Sequence, residues 1–294
     1  MIAFPKGNAA SGPSVALDGV LLLGATGRLG SMLRRHWPEP QALRSQSRQP
    51  RPGFYNFDLP AAGEGPSDAA ISTARGARAV IALAGVTPAR AGACGAALED
   101  NVTLALAALK LAEAAAVPRF FVASSAAVYG AQDGPLREDM PCAPLSEYGR
   151  QKLAMEQAVR EAGGKTAVTA LRIGNVVGAD AILGGWQPAM QIDRFPDGAT
   201  PSRSYIGPVT LARVLCTLCH VDDLPPVLNI AAPGAVQMGA LLDAAGLAWQ
   251  PKPATAIPEV RLDTNALECH VDFTPETQTP AGMVREWQQD MNKR

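Results

Sequence analysis

Residues 19–33 of the chain read GVLLLGATGRLGSML, and this stretch decides the fold. The apolar run VLLL predicts a buried strand, and the run that begins near the last glycine predicts a helix. Between them stand Gly24, Gly27 and Gly30, spaced three residues apart. Gly24 would allow a tight turn, Gly27 would let the backbone approach a phosphate, and Gly30 would let the helix pack on the strand. The alternative is an ordinary strand-to-helix turn, because a glycine triplet alone is weak evidence.

The alternation of apolar strands with longer Ala- and Leu-rich helices continues to about residue 178. Near-continuous apolar strands between helices indicate a parallel sheet that is covered on both faces. We therefore predict an α/β fold, a Rossmann-type doubly wound parallel sheet with a small C-terminal substrate lobe. The expected boundaries are a lead-in at 1–17, an NAD(P)-binding Rossmann domain at 18–178, and a substrate-side lobe at 179–294 that interleaves with the end of the sheet.

Composition and charge argue against several classes of function. The 294 residues are 47% hydrophobic and 18% charged with a net charge of −1, so we expect a sizeable core and no nucleic-acid partner. No apolar run approaches the roughly 20 residues of a membrane span, and the N-terminus has no signal-peptide stretch. The five cysteines have no disulfide spacing, which favours a reducing, cytoplasmic location.

No metal site is predicted. Cys216 and Cys219 form a CxxC, but they lie inside an apolar helical pattern and no second pair follows. Packed helix cysteines are therefore the preferred interpretation. The three histidines lie in no motif with ligand spacing. Trp186 and Met190, in a turn-rich stretch, could line a substrate pocket or belong to local core.

The end of the second strand should hold the residue that meets the adenosine ribose, about 20 residues after the glycine loop. In ALRSQSR that place falls on Arg44, with Arg48 close behind. An acidic residue there would bind the free 2′-hydroxyl of NAD, whereas an arginine offers a bidentate fork to a 2′-phosphate. NADP is therefore favoured over NAD, although both arginines could be solvated loop charges. Asp58 could accept a hydrogen bond from the adenine amino group or cap a turn.

A set of candidate catalytic side chains follows in order along the chain. Ser124 and Ser125 end the fifth predicted strand, and Tyr148 and Lys152 are four residues apart on one helix face. A free phenol has a pKa of about 10, and a nearby lysine ammonium favours the phenolate and lowers that pKa. Tyr148 could then exchange a proton with a hydroxyl or carbonyl group, and a serine hydroxyl would orient the same oxygen. Each feature alone is common, but their order after a glycine loop is much more specific.

Together these motifs resemble those of the extended short-chain dehydrogenases/reductases, in the NAD-dependent epimerase/dehydratase family. The resemblance covers the chain from about residue 18 to near residue 275. The matching segments are GATGRLG at 24–30, ALAG at 82–85, Asn101, SSAAVYG at 124–130, YGRQK at 148–152, LRIGNVVG at 171–178, RSYI at 203–206 and NIA at 229–231.

The resemblance implies a role for each matching residue. Tyr148 matches the family's proton donor and acceptor, Lys152 matches the lysine that also holds the nicotinamide ribose, and Ser125 matches the catalytic serine. The expected cofactor contacts are Gly24, Thr26, Gly27, Arg28, Leu29, Arg44, Asp58, Leu59, Leu83, Ala84, Gly85, Asn101, Ser124, Tyr148, Lys152 and Arg172. The expected substrate contacts are Ser125, Ala126, Asn175 and Arg203, of which Arg203 matches an arginine that often meets a nucleotide-sugar phosphate.

Departures from the family pattern shape the functional expectation. Arg44 replaces an aspartate, the stretch between Gly178 and Arg203 is short, and Thr210 stands where an aspartate is expected. We therefore expect an NAD(P)-dependent oxidoreductase that acts on a carbonyl or hydroxyl carbon of a sugar-like or other small substrate. A nucleotide-sugar epimerase or dehydratase that retains its cofactor is the first alternative. A dinucleotide-binding sensor without turnover is the second, and the intact Ser–Tyr–Lys set argues against it.

A homodimer is a further expectation from the resemblance, since family members often pair through two long helices. The segments 104–117 and 152–162 have the apolar content for such a contact. Burial of the same residues against the sheet explains that content equally well.

Overall fold

The VLLL strand lies at the centre of the molecule with all four residues buried, in agreement with its composition. The structure is a computed structural model that describes residues 18–61 and 63–294. The predicted lead-in at 1–17 lies outside the described residues.

The elements follow one another in the alternation that the sequence predicts as far as β7. The strands are β1 (Val20–Leu23), β2 (Leu43–Ser47), β3 (Tyr55–Asn56), β4 (Ala79–Ala82), β5 (Arg119–Ser125), β6 (Pro135–Leu136), β7 (Ala167–Ile173), β8 (Asn175–Val176), β9 (Gln191–Arg194), β10 (Ser202–Arg203), β11 (Tyr205–Ile206), β12 (Val227–Ile230), β13 (Val236–Gln237), β14 (Gln250–Pro253) and β15 (Glu259–Leu262). The α-helices are α1 (Arg28–His36), α2 (Asp68–Ala74), α3 (Pro88–Cys94), α4 (Asp100–Ala114), α5 (Glu147–Ala162), α6 (Pro208–Leu218), α7 (Met238–Ala244), α8 (Asn265–Glu268) and α9 (Pro280–Met291). Short 3₁₀ turns lie at Pro40–Ala42, Ala126–Val128 and Pro275–Gln278.

Seven strands form the central sheet in the order β12-β7-β5-β4-β1-β2-β3, and every neighbouring pair is parallel. The chain winds outward from β1 through β2 to β3, and then outward in the other direction from β4 through β5 and β7 to β12. The winding direction therefore changes between β1 and β4. In open parallel sheets ligands bind outside the carboxyl ends of the strands at such a point. The predicted Rossmann-type α/β fold is confirmed.

Helices cover both faces of this sheet, which explains why its strands are apolar throughout. On β4, Ile81 packs in one cluster with Met32 of α1 and Leu211 of α6. The preceding residue Val80 points to the other face and packs with Leu109 of α4 and with residues of α2 and α5. Successive residues of a strand point to opposite faces of the sheet. Because helices cover both faces, neighbouring residues such as Val80 and Ile81 are both buried.

The C-terminal stretch 179–294 contributes β12 to the central sheet and also builds a smaller layer. In that layer β13, β10, β15 and β6 form one sheet, and β14 pairs with β9. Helix α9 returns to the central domain, where the buried carboxylate of Asp290 accepts hydrogen bonds from Arg35 at 2.7 and 2.9 Å. The ring of His36 lies 3.1 Å from the same carboxylate, so α9 is fixed against α1.

The cysteines of the CxxC and the two large side chains of the turn-rich stretch pack in or against hydrophobic core. Cys216 and Cys219 are buried free thiols at the end of α6. Trp186 donates to the carbonyl oxygen of Ala248 at 3.1 Å, and Trp186 and Met190 are both half-buried against the hydrophobic core of the smaller layer. Within residues 18–61 and 63–294, no helix has the length and apolar character needed to cross a membrane.

Candidate functional site

The glycine loop joins β1 to α1 at the edge of the sheet where the winding changes. Gly24 has a φ of +75°, and a Cβ added there would lie 2.6 Å from the backbone nitrogen of Ala84. A Cβ on Gly30 would overlap the carbonyl oxygen of Gly24, so α1 packs directly on the strand end. Around Gly27 a Cβ would meet only the Gly24 oxygen, at 3.2 Å.

This loop fits the pyrophosphate of a dinucleotide. Gly27 is the N-cap of α1 and has no side chain that bonds the free N–H groups of the first turn. Those N–H groups and the helix dipole favour a negatively charged group. Thr26 is exposed, and the Arg28 guanidinium turns away to the carbonyl oxygen of Ala179 at 2.8 Å. The backbone of the loop is therefore left clear, with Leu29 packed against the core behind it.

The carboxyl end of β2 lies beside this loop. The Gly24 N–H donates to Oε1 of Gln46 at 3.4 Å, and Nε2 of Gln46 donates to the carbonyl oxygen of Phe57 at 2.7 Å. Asp58 follows directly and is exposed, whereas Leu59 packs against the core. The strand ends at Ser47, and the next residue, Arg48, is exposed.

The prediction that Arg44 meets the adenosine ribose is wrong. Arg44 is the second residue of β2 and pairs in register with Leu21, near the beginning of β1. Its guanidinium donates to the carbonyl oxygens of Thr73, Arg75 and Asp18 at 2.8–3.0 Å. These groups lie at the amino ends of the strands, which is the edge opposite the glycine loop.

The segment after β4 connects the glycine loop to the catalytic side chains. Leu83 and Ala84 pass so close to Gly24 that no Cβ fits between them. The buried amide of Asn101 donates to the carbonyl oxygen of Val86 at 2.9 Å and accepts from the Val86 N–H at 3.2 Å. A Cβ on Gly85 would lie 2.6 Å from the Asn101 oxygen and 3.5 Å from Nζ of Lys152. Asn101 thus fixes the loop, and Gly85 lets the loop lie next to the lysine.

Ser125, Tyr148 and Lys152 come together at the carboxyl end of β5. Ser146 caps α5 by accepting from the Gly149 N–H at 3.1 Å, which fixes the first turn that contains Tyr148. One turn later, Nζ of Lys152 donates to the carbonyl oxygen of Ala123 at 2.8 Å and lies 5.9 Å from the centroid of the Tyr148 ring. The Ser125 hydroxyl accepts from the Ala127 N–H at 3.2 Å and lies close enough to Tyr148 to affect the pKa of its phenol.

Burial dominates the electrostatics of these groups. It lowers the pKa of Lys152 to about 8, against the opposing attraction of the Glu156 carboxylate. Burial raises the pKa of Tyr148 above the usual phenol value, and the hydrogen bond with Ser125 opposes that shift. The expected net lowering of the Tyr148 pKa is therefore wrong in direction. The tyrosine holds its proton at neutral pH, and the lysine titrates close to that range.

Ser124 and Arg172 were predicted to contact the cofactor, and this prediction is wrong for their side chains. The two residues are register partners on β5 and β7, so their side chains point to the same face of the sheet. On that face both bond the carboxylate of Glu156: the Ser124 hydroxyl donates to Oε1, and the guanidinium of Arg172 donates to Oε2 at 2.8 Å. Sequence reasoning missed Glu156, although its spacing of four residues from Lys152 on α5 is a signal that could have found it.

The predicted substrate contacts lie on the lobe side of the same edge. Ala126 opens the 3₁₀ turn after β5, and Asn175 lies in β8, paired with Tyr205 of β11. Arg203 in β10 donates to the carbonyl oxygens of Ser202 at 2.7 Å and of Pro258 at 3.5 Å. Arg203 has backbone partners, and burial lowers the pKa of its guanidinium.

Comparisons with known proteins identify the family of this chain. The model of the NAD dependent epimerase/dehydratase family matches residues 20–224, which is more than half of the chain. The chain is 39% identical over 84 residues to the UDP-glucose 4-epimerase of Azospirillum brasilense, a match that covers 28% of this chain and 24% of that protein. The similarity to this curated relative thus spans about a quarter of the relative's length.

Solved structures resemble the fold over nearly the whole chain. UDP-glucose 4-epimerase from Stenotrophomonas maltophila, with bound NAD and formylated UDP-arabinopyranose, has a TM-score of 0.73 at 18% identity, covering 94% of this chain and 99% of that one. MoeE5, in complex with UDP-glucose and NAD, has a TM-score of 0.69 at 23% identity, covering 93% and 99% of the two chains.

The family predicted from the motifs is therefore confirmed, since the matched region contains the glycine loop, the Asn101 segment and the Ser–Tyr–Lys set. This chain belongs to the NAD-dependent epimerase/dehydratase family.

Proposed function

We propose that this chain catalyses NAD(P)-dependent oxidation and reduction at a hydroxyl-bearing or carbonyl carbon of a sugar-like or other small substrate. The observation that supports this most is the convergence of Ser125, Tyr148 and Lys152 at the carboxyl end of β5, with the lysine next to Gly85. The same edge of the sheet holds the glycine loop. A dinucleotide and a phenol would therefore share one crevice.

Side chains of the protein would supply the proton that accompanies hydride transfer and stabilise the groups that exchange it. A bound nicotinamide supplies or accepts the hydride. Tyr148, protonated at neutral pH, would donate its proton to a carbonyl oxygen during reduction. Ser125 would donate a hydrogen bond to the same oxygen. Lys152 in its charged form would stabilise the phenolate that remains.

The substrate class is a sugar-like compound or another small carbonyl compound. The short lobe and the absence of an aspartate at Thr210 favour a reductase with an exchanging cofactor. The 39% identity over 84 residues to a UDP-glucose 4-epimerase favours a second candidate, a nucleotide-sugar epimerase or dehydratase that retains its cofactor. For that candidate Arg203, at the lobe side of the crevice, would be the group that meets a phosphate.

The reductase and epimerase candidates differ in net cofactor use. We expect the purified protein, given NADPH and a panel of sugar and simple carbonyl compounds, to lose absorbance at the reduced-nicotinamide band. Conversion of UDP-glucose into its C4 epimer without net loss of absorbance would favour the epimerase. Folded protein that binds dinucleotide but neither reduces any compound of the panel nor converts UDP-glucose would contradict the proposed activity and favour a sensor.

For the cofactor, we infer a preference for NADP over NAD. An acidic residue that binds the 2′-hydroxyl of NAD would be expected where β2 ends. Here β2 ends with the buried hydroxyl of Ser47, followed by the exposed Arg48. A hydroxyl and a guanidinium suit a 2′-phosphate, and the first basic residue after the strand takes the role that the sequence assigned to Arg44.

We expect Arg48→Ala to weaken NADP binding by roughly tenfold or more and to leave NAD binding unchanged, since a hydrogen bond to a charged group contributes about 1.5–3 kcal/mol. Equilibrium titration with each dinucleotide measures this. Arg44→Ala is the matched control, because Arg44 lies at the opposite edge of the sheet: it should reduce stability and leave both affinities as they are. Equal weakening of both dinucleotides by Arg48→Ala would contradict the assignment.

A further inference from the structure

A carboxylate that the proposed chemistry does not use lies behind Lys152. Glu156 is four residues after Lys152 and eight after Tyr148 on α5, so the three side chains share one face of the helix. The Glu156 side chain is only 6% exposed. Burying a carboxylate is costly unless it is paired, so its partners indicate what it stabilises.

The partners of Glu156 come from two neighbouring strands. Arg172 of β7 donates from Nη2 to Oε2 at 2.8 Å and from Nε to Oε1 at 3.1 Å, and Ser124 of β5 donates to Oε1. Ser124 directly precedes Ser125. The carboxylate therefore ties the catalytic helix to the strand end that presents the catalytic serine.

Lys152 lies one turn before Glu156 on the same face of α5, and both side chains are buried. Its Nζ donates to the carbonyl oxygen of Ala123, the residue before Ser124, at 2.8 Å. Burial alone favours the neutral amine, and Glu156 is the charged group that opposes this. The guanidinium of Arg172 is turned to Glu156 and lies 4.8 Å from the centroid of the Tyr129 ring.

Other titratable groups near this network do not replace Glu156. The ring of Tyr148 lies beside Lys152 on the same helix. Cys142 lies in the segment before α5, and the charges of Arg172 and Glu156 shift the pKa of its thiol in opposite directions. Glu138 is on the far side of Arg172, where its backbone carbonyl oxygen accepts from that guanidinium at 3.3 Å. Glu156 is thus the carboxylate whose negative charge raises the pKa of Lys152 against the effect of burial.

We propose that Glu156 is a positioning residue of the Ser–Tyr–Lys site, which keeps Lys152 in its charged form and fixes the strand end that presents Ser125. A neutral Lys152 would lack the positive charge that stabilises a phenolate. The inference rests on the proposed function only for its consequence in turnover, because the charge of Lys152 is measurable without any substrate.

The test replaces Glu156 with glutamine, which keeps the shape of the side chain and removes its charge. The titration midpoint of Lys152 is followed by NMR of protein with labelled lysine side chains, and the resonance is assigned by its loss in Lys152→Met. We expect Glu156→Gln to lower the midpoint by about one pH unit or more. Glu161→Gln, which changes an exposed residue of the same helix, should leave the midpoint where it is.

The pH profile of turnover separates this role from the proposed function itself. If charged Lys152 is required, the alkaline limb of kcat in Glu156→Gln moves to lower pH by the same amount as the midpoint, because the ammonium is lost sooner as the pH rises. A midpoint that falls while the profile of kcat stays fixed would support the effect of Glu156 on Lys152 and contradict the catalytic role of the lysine. An unchanged midpoint in folded Glu156→Gln would overturn the inference.

Glu156→Gln leaves the buried Arg172 without its counter-charge, which destabilises the fold. If the single variant does not fold, a double variant that also removes Arg172 provides the test. In Glu156→Gln/Arg172→Gln both buried charges are gone. We expect the Lys152 midpoint there to lie below that of the unaltered protein and, where the single variant folds, above that of Glu156→Gln. A midpoint equal to that of the unaltered protein would overturn the inference.

Discussion

Replacing Tyr148 with phenylalanine is expected to lower kcat by about 10²- to 10⁴-fold, the usual contribution of a positioned proton donor. The variant loses only the hydroxyl that would exchange a proton with the substrate oxygen. Because the ring remains and Lys152 still bonds the carbonyl oxygen of Ala123, the fold and the dinucleotide affinity should not change. Steady-state kinetics with the best substrate, together with dinucleotide titration, measures both.

Tyr55→Phe is the matched control for this experiment. Tyr55 is 48% exposed in β3 and belongs to no group assigned to the site, so the same chemical change there should leave kcat as it is. Unchanged turnover in Tyr148→Phe would remove the tyrosine from the mechanism. Loss of dinucleotide binding along with turnover would show that the phenol acts in binding rather than in proton transfer.

The second large effect is expected at Gly24. Alanine at this position is unfavourable for two reasons. The φ of Gly24, +75°, disfavours any side chain, and the added Cβ would lie 2.6 Å from the backbone nitrogen of Ala84. Gly53 has nearly the same φ, +76°, with nothing within 4 Å of an added Cβ. Gly53→Ala should thus cost about 1–2 kcal/mol from the backbone alone. Gly24→Ala should cost a further 1–3 kcal/mol or so, because β1 and β4 must shift apart.

Urea unfolding measures the free energy of unfolding of both variants, and titration measures their dinucleotide affinity. Gly24→Ala should lose saturable dinucleotide binding, because the displaced strands carry the loop that would cradle the pyrophosphate. Gly53→Ala should bind as the unaltered protein does. Equal stability of the two variants, with normal binding in both, would contradict the close approach of β1 and β4 as the reason for the glycine.

The glycine loop and the Tyr148–Lys152 pair were predictable because their information is local. A buried apolar strand, a glycine triplet and a helix are adjacent in sequence, and a spacing of four residues puts two side chains on one helix face whatever surrounds them. The parallel sheet follows from the same local alternation.

Arg44 was misplaced because β2 is not apolar. Its last three residues, Ser45, Gln46 and Ser47, are buried and polar, so hydrophobicity does not mark where the strand ends. The Ser45 hydroxyl accepts from Arg34 of α1 at 3.1 Å, and the Gln46 amide bonds Gly24 and Phe57, so partners outside the strand satisfy these polar groups. Pairing register with β1 decides which arginine reaches the carboxyl edge, and register is not a local property.

Ser124 and Arg172 were misassigned for a related reason. A sequence shows that both residues lie near strand ends, but not which face of the sheet their side chains take. Register between β5 and β7 puts them side by side, and Glu156 of a third element then bonds both. Contacts among three elements that are far apart in sequence are established only by tertiary packing.

The central claim is that backbone amides at the start of α1 hold the pyrophosphate of a dinucleotide and so bring the nicotinamide to Tyr148. Calorimetric titration of the folded protein with NADP and with NAD, after assay for any dinucleotide that copurifies, tests it most directly. The account predicts a single saturable site, tighter for NADP and lost in Gly24→Ala. Well-folded protein that neither retains nor takes up either dinucleotide would contradict it.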